Sequence, residues 1–296
     1  HDPNDRRGLW LDWTLLAIGG SLLYAVIGVY FTESVGAHSG DEGHYLIQAE
    51  SLYHDGDLDL RNNFEPGKRV DREHVHISRN SRHGRWYSWH PAGLPMVLAP
   101  TVPGGLPARH AMLGLIAGLG IAGLYGLSRT IGARRSDAWL VALLFGGSYY
   151  WGVYACRALP ETLGATLALY GMIAVFMQER RPWASFWLIV PGFAFLPWVQ
   201  TRFLPVALLV MGCYGLHGLL GREPWKTKLL RLSVFTLLCA AGYGLYQWQH
   251  FRMFEKGMAY QVPDLLFSDM AGLWHVLGSN RGILMSLPLF AAGLAA

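Results

Sequence analysis

Long apolar runs alternate with short polar segments along this chain. The first run, Trp13 to Phe31, contains no charged residue and is long enough to cross about 30 Å of hydrocarbon at about 1.5 Å per residue. Further runs cover residues 111–127, 138–156, 162–177, 183–199, 203–220 and 232–248. An eighth run opens at Arg281-Gly282, and we expect it to be a truncated span. The pattern predicts an all-α polytopic membrane protein with about eight spans.

Basic residues cluster in alternate connections between these runs, at residues 6–7, 129–135, 180–181 and 222–231. If every run crosses the membrane, all four clusters fall on the same side. Loops rich in Lys and Arg stay on the cytoplasmic side of a membrane. We therefore expect a multi-pass protein of the inner (plasma) membrane with its N-terminus in the cytoplasm and residues 32–110 on the periplasmic or extracellular side.

The outer loop, residues 32–110, holds the densest group of ionisable side chains. Ten of the 20 acidic residues and seven of the 12 histidines lie between Glu33 and His90. Because a short turn would be enough to connect two spans, this density indicates a functional loop.

Part of this loop is predicted to be helical. Between Asp41 and His54, apolar residues recur every three or four positions, which favours a helix lying in the membrane interface. The stripe consists of Tyr45, Leu46, Ala49, Leu52 and Tyr53. Residues 61–86 are expected to be irregular, and residues 91–105, with several prolines, to form a shallow or re-entrant segment.

Composition supports a membrane protein. Hydrophobic residues make up 52% of the chain and charged residues 15%, against about 25% charged in a typical globular domain. The net charge of +4 comes in the clusters described above, so it describes topology and does not indicate nucleic-acid binding. We expect a single transmembrane domain over residues 1–296, with a C-terminal region of the parent protein missing.

Asp41 and Glu42 are adjacent carboxylates just beyond the first span. One interpretation is capping of the following helix, since acidic residues favour the first turn. The other is a general base that takes a proton from an acceptor hydroxyl at the membrane surface. The two roles are compatible, with Asp41 the stronger candidate for the base.

Several motifs resemble those of the GT-C membrane glycosyltransferases, in particular the aminoarabinose transferases and the protein O-mannosyltransferases. The first is Asp41-Glu42-Gly43-His44-Tyr45, followed by a helix and the turn Asp55-Gly56-Asp57. The second is Tyr87-Ser88-Trp89-His90-Pro91-Ala92, with Ala92 where a second proline is common and His90 where the aminoarabinose enzymes have lysine. Leu159-Pro160-Glu161 and Arg281-Gly282 are further points of similarity.

The resemblance implies a GT-C-like transmembrane helix bundle that carries out an inverting transfer. The donor would be a polyprenyl-phosphate sugar, and the acceptor a lipid, a glycan or a protein. Asp41 would act as the base, with Glu42 beside it. The residues that would contact substrate are His44, Tyr45, Tyr87, His90, Arg157, Glu161, Arg202 and Arg281. Lipid anchoring is the alternative role for Arg157 and Arg202, which stand at the outer ends of spans, and helix capping is the alternative for Glu161.

Two further patterns bear on metal binding. Asp55-Gly56-Asp57 with Asp59 resembles a metal-binding Asp-x-Asp, but its position after a helix is typical of a turn. His74, His76, His83 and Glu73 do not form a set with recognised zinc-ligand spacing. We assign no metal ligands and identify no cofactor from the sequence, and the resemblance, to a family whose metal use varies, leaves a divalent metal open.

Two other classes of function remain as alternatives. Proline-bearing segments such as 91–105 and 183–201 also occur where transporters or lipid-handling proteins build binding sites at the membrane midplane. Here the ionisable residues cluster in the outer loop and not at mid-span. The remaining alternative is a scaffolding subunit whose loop binds a partner.

Overall fold

The computed structural model describes residues 3–35, 40–64, 77–78, 84–221 and 223–254, and most of them are helical. The α-helices are α1 (Pro3–Val35), α2 (Glu42–His54), α3 (Gly93–Leu98), α4 (Gly105–Thr130), α5 (Arg135–Gly146), α6 (Tyr149–Ala155), α7 (Pro160–Met177), α8 (Pro182–Val199), α9 (Leu204–Leu220) and α10 (Trp225–Phe254). Short 3₁₀ helices cover Asn62–Phe64, Ala99–Gly104 and Thr201–Phe203. Within the described ranges, β-structure is limited to the antiparallel pair β1 (Ile77–Ser78) and β2 (Tyr87–Ser88), in which Ile77 lies opposite Ser88.

Six helical segments of the described chain are long and apolar enough to cross a membrane. They are Gly8–Ser34, Gly93–Thr130, Pro160–Met177, Pro182–Val199, Thr201–Leu220 and Trp225–Phe254. Leucines and other large apolar side chains on α1, α9 and α10 are exposed, as is expected of helix faces that contact lipid. The prediction of an all-α polytopic membrane protein is confirmed. The expected last span lies outside the described residues.

The run 138–156, predicted as one span, is two helices. α5 ends at Gly146, and α6 begins at Tyr149 after a break at Gly147 and Ser148. The Ser148 hydroxyl accepts a hydrogen bond from the backbone N–H of Trp151 at 3.3 Å, so it satisfies one of the unpaired donors at the start of α6. Hydropathy alone does not detect this cap.

The outer loop is more deeply packed than an interfacial helix requires. α2 buries Ile47, Gln48 and Ser51 as well as Tyr45 and Ala49, while Tyr53 of the predicted stripe is exposed. α2 packs against α3 and the 3₁₀ helix that follows it. The predicted stripe was therefore wrong in part, because the helix is covered by protein on more than one side.

The helices alternate in direction along the bundle, as the basic clusters predicted, when α5 and α6 are counted together as one return pass that leads from Arg135 beside Asp12 to Arg157 beside Glu42. α1 and α4 are antiparallel, since Asp12 pairs with Tyr125 at one end and Thr32 with His110 at the other. Close contact between them depends on glycine: a Cβ at Gly118 would lie 2.3 Å from the Ala17 carbonyl oxygen. α4 and α7 run in the same direction, since the Thr166 hydroxyl bonds the Ile116 carbonyl and the Tyr170 hydroxyl the Leu119 carbonyl.

The helices that follow continue the alternation. α8 returns along α7, with Ser185 near Ala174 and Phe193 against Gly171. α9 runs back with Tyr214 beside Gln178, and α10 reverses once more. Two ends of the bundle follow from this. The basic end holds Asp12, Arg129, Arg135, Gln178 and Arg231, and the loop end holds the start of α2, residues 88–92, the α6–α7 and α8–α9 junctions and the C-terminal end of α10.

Candidate functional site

Four connections at the loop end bring together side chains that are far apart in sequence. α2 begins directly after Asp41, and the Ser88–Ala92 segment follows β2. Between α6 and α7 the chain is extended at Leu159, and Pro160 starts α7 with its fixed φ. α8 ends at Val199, and Gln200 is again extended, which allows the chain to turn back into α9.

Glu42 is held inside the protein. Its side chain is 3% exposed, and its Oε2 accepts a hydrogen bond from Arg157 Nη1 at 3.0 Å. Its Oε1 accepts from the backbone N–H of Ala158, also at 3.0 Å. The guanidinium of Arg157 lies 4.8 Å from the centre of the Phe31 ring. Glu42 therefore joins the start of α2 to the α6–α7 junction, and this location suits a structural role better than a reacting one.

Asp41 has the opposite surroundings. Its side chain is 54% exposed and makes no capping hydrogen bond to α2, although Asp41 occupies the N-cap position. One of its oxygens lies 3.7 Å from His90 Nε2. Of the two adjacent carboxylates, only Asp41 is open to an approaching molecule.

A chain of polar contacts leads to His90 from within the bundle. Gln200 Nε2 donates to the Tyr45 hydroxyl at 3.4 Å, and that hydroxyl lies 3.4 Å from His90 Nδ1. Burial, together with the negative charges of Asp41 and Glu161, raises the pKa of Tyr45 well above its ordinary value, so its phenol is neutral and keeps its proton. If that proton is donated to Nδ1, the ring proton of neutral His90 is on Nε2, facing Asp41.

His44 packs against His90 from inside the protein. Its ring is buried, with its centre 4.4 Å from that of His90. The Ser88 hydroxyl lies 3.2 Å from His44 Nδ1 and accepts a hydrogen bond from the His90 backbone N–H at 3.2 Å. Ser88 and Gln200 were not among the predicted site residues. Ser88 lies within the motif Tyr87–Ala92, and Gln200 lies two positions before Arg202. The sequence alone does not indicate which side chains these two residues contact.

Arg202 and Glu161 form a second ion pair at the loop end, between the α8–α9 junction and the start of α7. Arg202 is 45% exposed and Glu161 is half-buried. Both charges act on the Tyr45 phenol: the negative charge of Glu161 raises the pKa of Tyr45, and the positive charge of Arg202 lowers it. This pair therefore lies close enough to Tyr45, whose hydroxyl contacts His90, for its charges to act there.

The other predicted residues are placed differently. Tyr87 packs with its ring centre 5.9 Å from that of Phe254 and is not part of the Asp41–His90–Tyr45 group. Arg281, and the histidines at 74, 76 and 83 with Glu73, lie outside the described residues.

The acidic turn is structural. Asp57 accepts a hydrogen bond from the Asp59 backbone N–H at 3.0 Å, as expected of a turn. Asp59 accepts from the backbone N–H groups of Arg61 and Trp86 and pairs with the Arg61 guanidinium at 2.7 Å. Across the part of the chain that the structure describes, no group of three or more His, Cys, Asp or Glu side chains is arranged to hold a metal ion.

Comparisons with protein-family models, with curated proteins and with solved structures gave no match to this chain.

Proposed function

We propose that this chain is a membrane glycosyltransferase that moves a sugar from a polyprenyl-phosphate donor to a hydroxyl of a lipid, glycan or protein acceptor. The observation that supports this is the exposed Asp41 beside His90, with the Glu42–Arg157 and Glu161–Arg202 pairs around it. A lipid-phosphate donor keeps its tail in the bilayer and its phosphate at the interface, which is the depth expected for one end of a transmembrane bundle.

In this mechanism Asp41 takes the proton of the acceptor hydroxyl as its oxygen bonds to the anomeric carbon. The bond from that carbon to the phosphate oxygen breaks, and the phosphate leaves with the electron pair. His90 is a positioning residue, because its Nε2–H, fixed by Tyr45 and Gln200, orients the Asp41 carboxylate. Glu42 is bonded through both oxygens and does not take the proton.

The leaving phosphate needs a cation. Arg157 is only 12% exposed and is paired with the buried Glu42. Arg202 is 45% exposed, and its partner Glu161 is also accessible to solvent. A guanidinium offers a planar pair of donors that matches phosphate oxygens. Arg202 is therefore the cation that meets the donor phosphate, exchanging Glu161 for it.

The test is Asp41→Asn, which keeps the shape of the side chain and removes its basicity. With the full-length protein in proteoliposomes and a polyprenyl-phosphate sugar, we expect sugar transfer to fall about 10²–10⁴-fold while donor binding is nearly unchanged, since the base contacts the acceptor. Asp55→Asn is the matched control, because Asp55 is an exposed carboxylate of the same loop at the other end of α2. Near-normal transfer by a folded Asp41→Asn protein would refute the mechanism, and donor binding without any transfer by the wild type would favour a lipid-handling protein.

We further propose that the loop end faces the periplasm or the cell exterior and the basic end the cytoplasm, in the inner (plasma) membrane. Single cysteines replacing exposed Asp55 and Lys226 in a Cys213→Ser background report on the two ends. An impermeant maleimide added to intact spheroplasts should label the cysteine at position 55 and leave the one at position 226 unlabelled until the membrane is broken. Labelling of both from the same side would contradict the span arrangement.

A further inference from the structure

A cleft of about 500 Å³ lies at the loop end, separate from the Asp41–His90 contact. Ligand sites typically have volumes of about 300–1,000 Å³. The cleft lies between the turn after α2, the β2 strand, α3 and the C-terminal end of α10. None of the residues in the proposed mechanism lines this cleft.

The floor of this cleft is apolar. Leu58 and Tyr87 are buried there, and Leu52, Met96 and Met253 pack around them. Such a surface fits the hydrocarbon part of an amphipathic molecule.

The rim of the cleft is positively charged. Arg85 and Arg252 line it and are exposed, and the single acid in the lining is Asp57, so the two arginines leave a net charge of +1 after Asp57 is subtracted. Asp57 already accepts hydrogen bonds from Asp59 and Ser51. Arg252 lies over Trp248 of the preceding turn, 5.1 Å from its ring centre, which holds the guanidinium at the cleft.

The position of the cleft in the bundle suits a ligand that comes from the bilayer. Trp248 and Phe251 on α10 are exposed, and exposed aromatic residues at a helix end are typical of the membrane–water interface. Trp248 also lines the cleft, so the cleft adjoins this aromatic face of α10.

The cleft lies next to a small cavity that is lined by His90. Gln249 and Met253 line both the cleft and this small cavity, which has a volume of about 20 Å³. Ser88 and His90 are among the other residues that line the small cavity. His90 is the residue in contact with Asp41. A molecule seated in the cleft therefore lies on the His90 side of the proposed base.

We infer that this cleft is the acceptor subsite and that the acceptor is an amphiphile with an anionic group, held by Arg85 and Arg252 over the apolar floor. The assignment to the acceptor rests on the proposed function, because an inverting transfer needs the hydroxyl and the leaving phosphate on opposite faces of the anomeric carbon. With the donor phosphate at Arg202, the acceptor enters from the His90 flank.

Photolabelling tests the cleft without any need for turnover. The full-length protein is placed in phosphatidylcholine nanodiscs with phosphatidic acid that carries a diazirine beside the glycerol, or with phosphatidylcholine that carries the same diazirine. We expect the phosphatidic acid probe to label the peptide around Met96, and the double variant R85Q/R252Q to lower that labelling about tenfold, as loss of charge-assisted hydrogen bonds predicts. R252K keeps the charge but lacks the planar pair of donors, so it should lower the labelling less than R252Q does.

The control is R134Q/R181Q, which removes two exposed arginines at the basic end and should leave labelling near Met96 unchanged. Equal labelling by the two probes, or labelling that survives R85Q/R252Q, would overturn the inference. A long-chain polyprenyl phosphate that displaces the probe would assign the cleft to the donor and overturn it also. Failure of the proposed function is distinguishable: transfer that survives Asp41→Asn, with labelling still dependent on Arg85 and Arg252, refutes the base and leaves the anionic lipid cleft.

Discussion

The basic end of the bundle holds its charged side chains in short hydrogen bonds. Asp12 is buried and accepts from Arg135 at 2.6 and 2.7 Å and from the Tyr125 hydroxyl at 2.6 Å. Arg231 is buried between Gln178, Tyr214 and Glu223, with contacts of 2.8–2.9 Å. These groups connect α1 to α5, and α10 to α7 and α9.

The loop end mixes closed and open contacts. Glu42 and Arg157 are paired at 3.0 Å, as at the basic end. Beside them, the Gln200–Tyr45–His90 contacts are 3.4 Å long and His90 is 3.7 Å from an exposed Asp41. Long polar contacts around an exposed carboxylate are common in unliganded catalytic sites, where they tighten when substrate binds.

The difference between the two ends assigns roles to the charged residues. Side chains whose hydrogen-bonding capacity is met inside the protein contribute stability, and those with open capacity can serve a ligand. By this criterion Glu42 and Arg157 belong with the residues of the basic end, although they lie beside Asp41.

The largest effect on stability is expected from Glu42→Gln. It leaves the Arg157 guanidinium, 12% exposed, without its carboxylate, and breaking a buried ion pair costs about 3–5 kcal/mol. Asp12→Asn is the matched change at the basic end, but Arg135 is 60% exposed and can be solvated, so we expect a loss of about 1–2 kcal/mol there. Denaturant unfolding in detergent micelles measures both free energies.

Two outcomes would break the comparison. If Glu42→Gln is as stable as the wild type but inactive, Glu42 is a reacting group and the division by bonding is wrong. If Asp12→Asn is the more damaging of the two, exposure of the partner does not decide the cost.

A smaller effect is expected from Arg202→Ala, this time on binding. Loss of a charge-assisted contact to the donor phosphate costs about 1.5–3 kcal/mol, which weakens donor binding about 10- to 100-fold. Arg202→Lys should also weaken it, since an ammonium lacks the planar pair of donors. Arg134→Ala removes an exposed arginine at the basic end and serves as the control in a polyprenyl-phosphate binding assay. Unchanged binding by a folded Arg202→Ala protein would make Arg202 a lipid anchor.

The helices of span length were largely predictable, because a run of about 18 apolar residues has few other structures open to it. The runs 162–177, 183–199 and 203–220 correspond to α7, α8 and α9 within a few residues. The break at Gly147 and Ser148 was not predicted, because a helix cap depends on one hydroxyl and not on hydropathy.

The site was predictable only as a group of residue types. The motifs placed Asp41, Glu42 and His90 in one loop, and the basic clusters placed that loop at the same end as Arg157 and Arg202. The pairing of Glu42 with Arg157 instead of Asp41 with Arg157 depends on helix packing across 115 positions. A single sequence carries no signal for such contacts, nor for Arg85 and Arg252 meeting at one cleft.

The smallest effect is expected from Asp59→Asn, which tests the division within the loop itself. Asp59 lies in the outer loop, yet it is bonded like the basic-end residues. Burial alone would raise its pKa, but hydrogen bonds from the Arg61 side chain and from the backbone of Trp86 and Arg61 hold the pKa of Asp59 below its ordinary value. A lowered pKa in the folded state means that this carboxylate stabilises the fold fully above the unfolded pKa of about 3.9 and loses that contribution as the pH falls through the folded value. At pH 7 we expect Asp59→Asn to lower the free energy of unfolding by about 1–2 kcal/mol, and the difference from the wild type to shrink below about pH 4.

Asp55→Asn, at an exposed position four residues earlier, should show neither effect. Sugar transfer at 25 °C should be unchanged in a folded Asp59→Asn protein; a loss as large as that expected for Asp41→Asn would place Asp59 in the site and remove the distinction between bonded and open carboxylates.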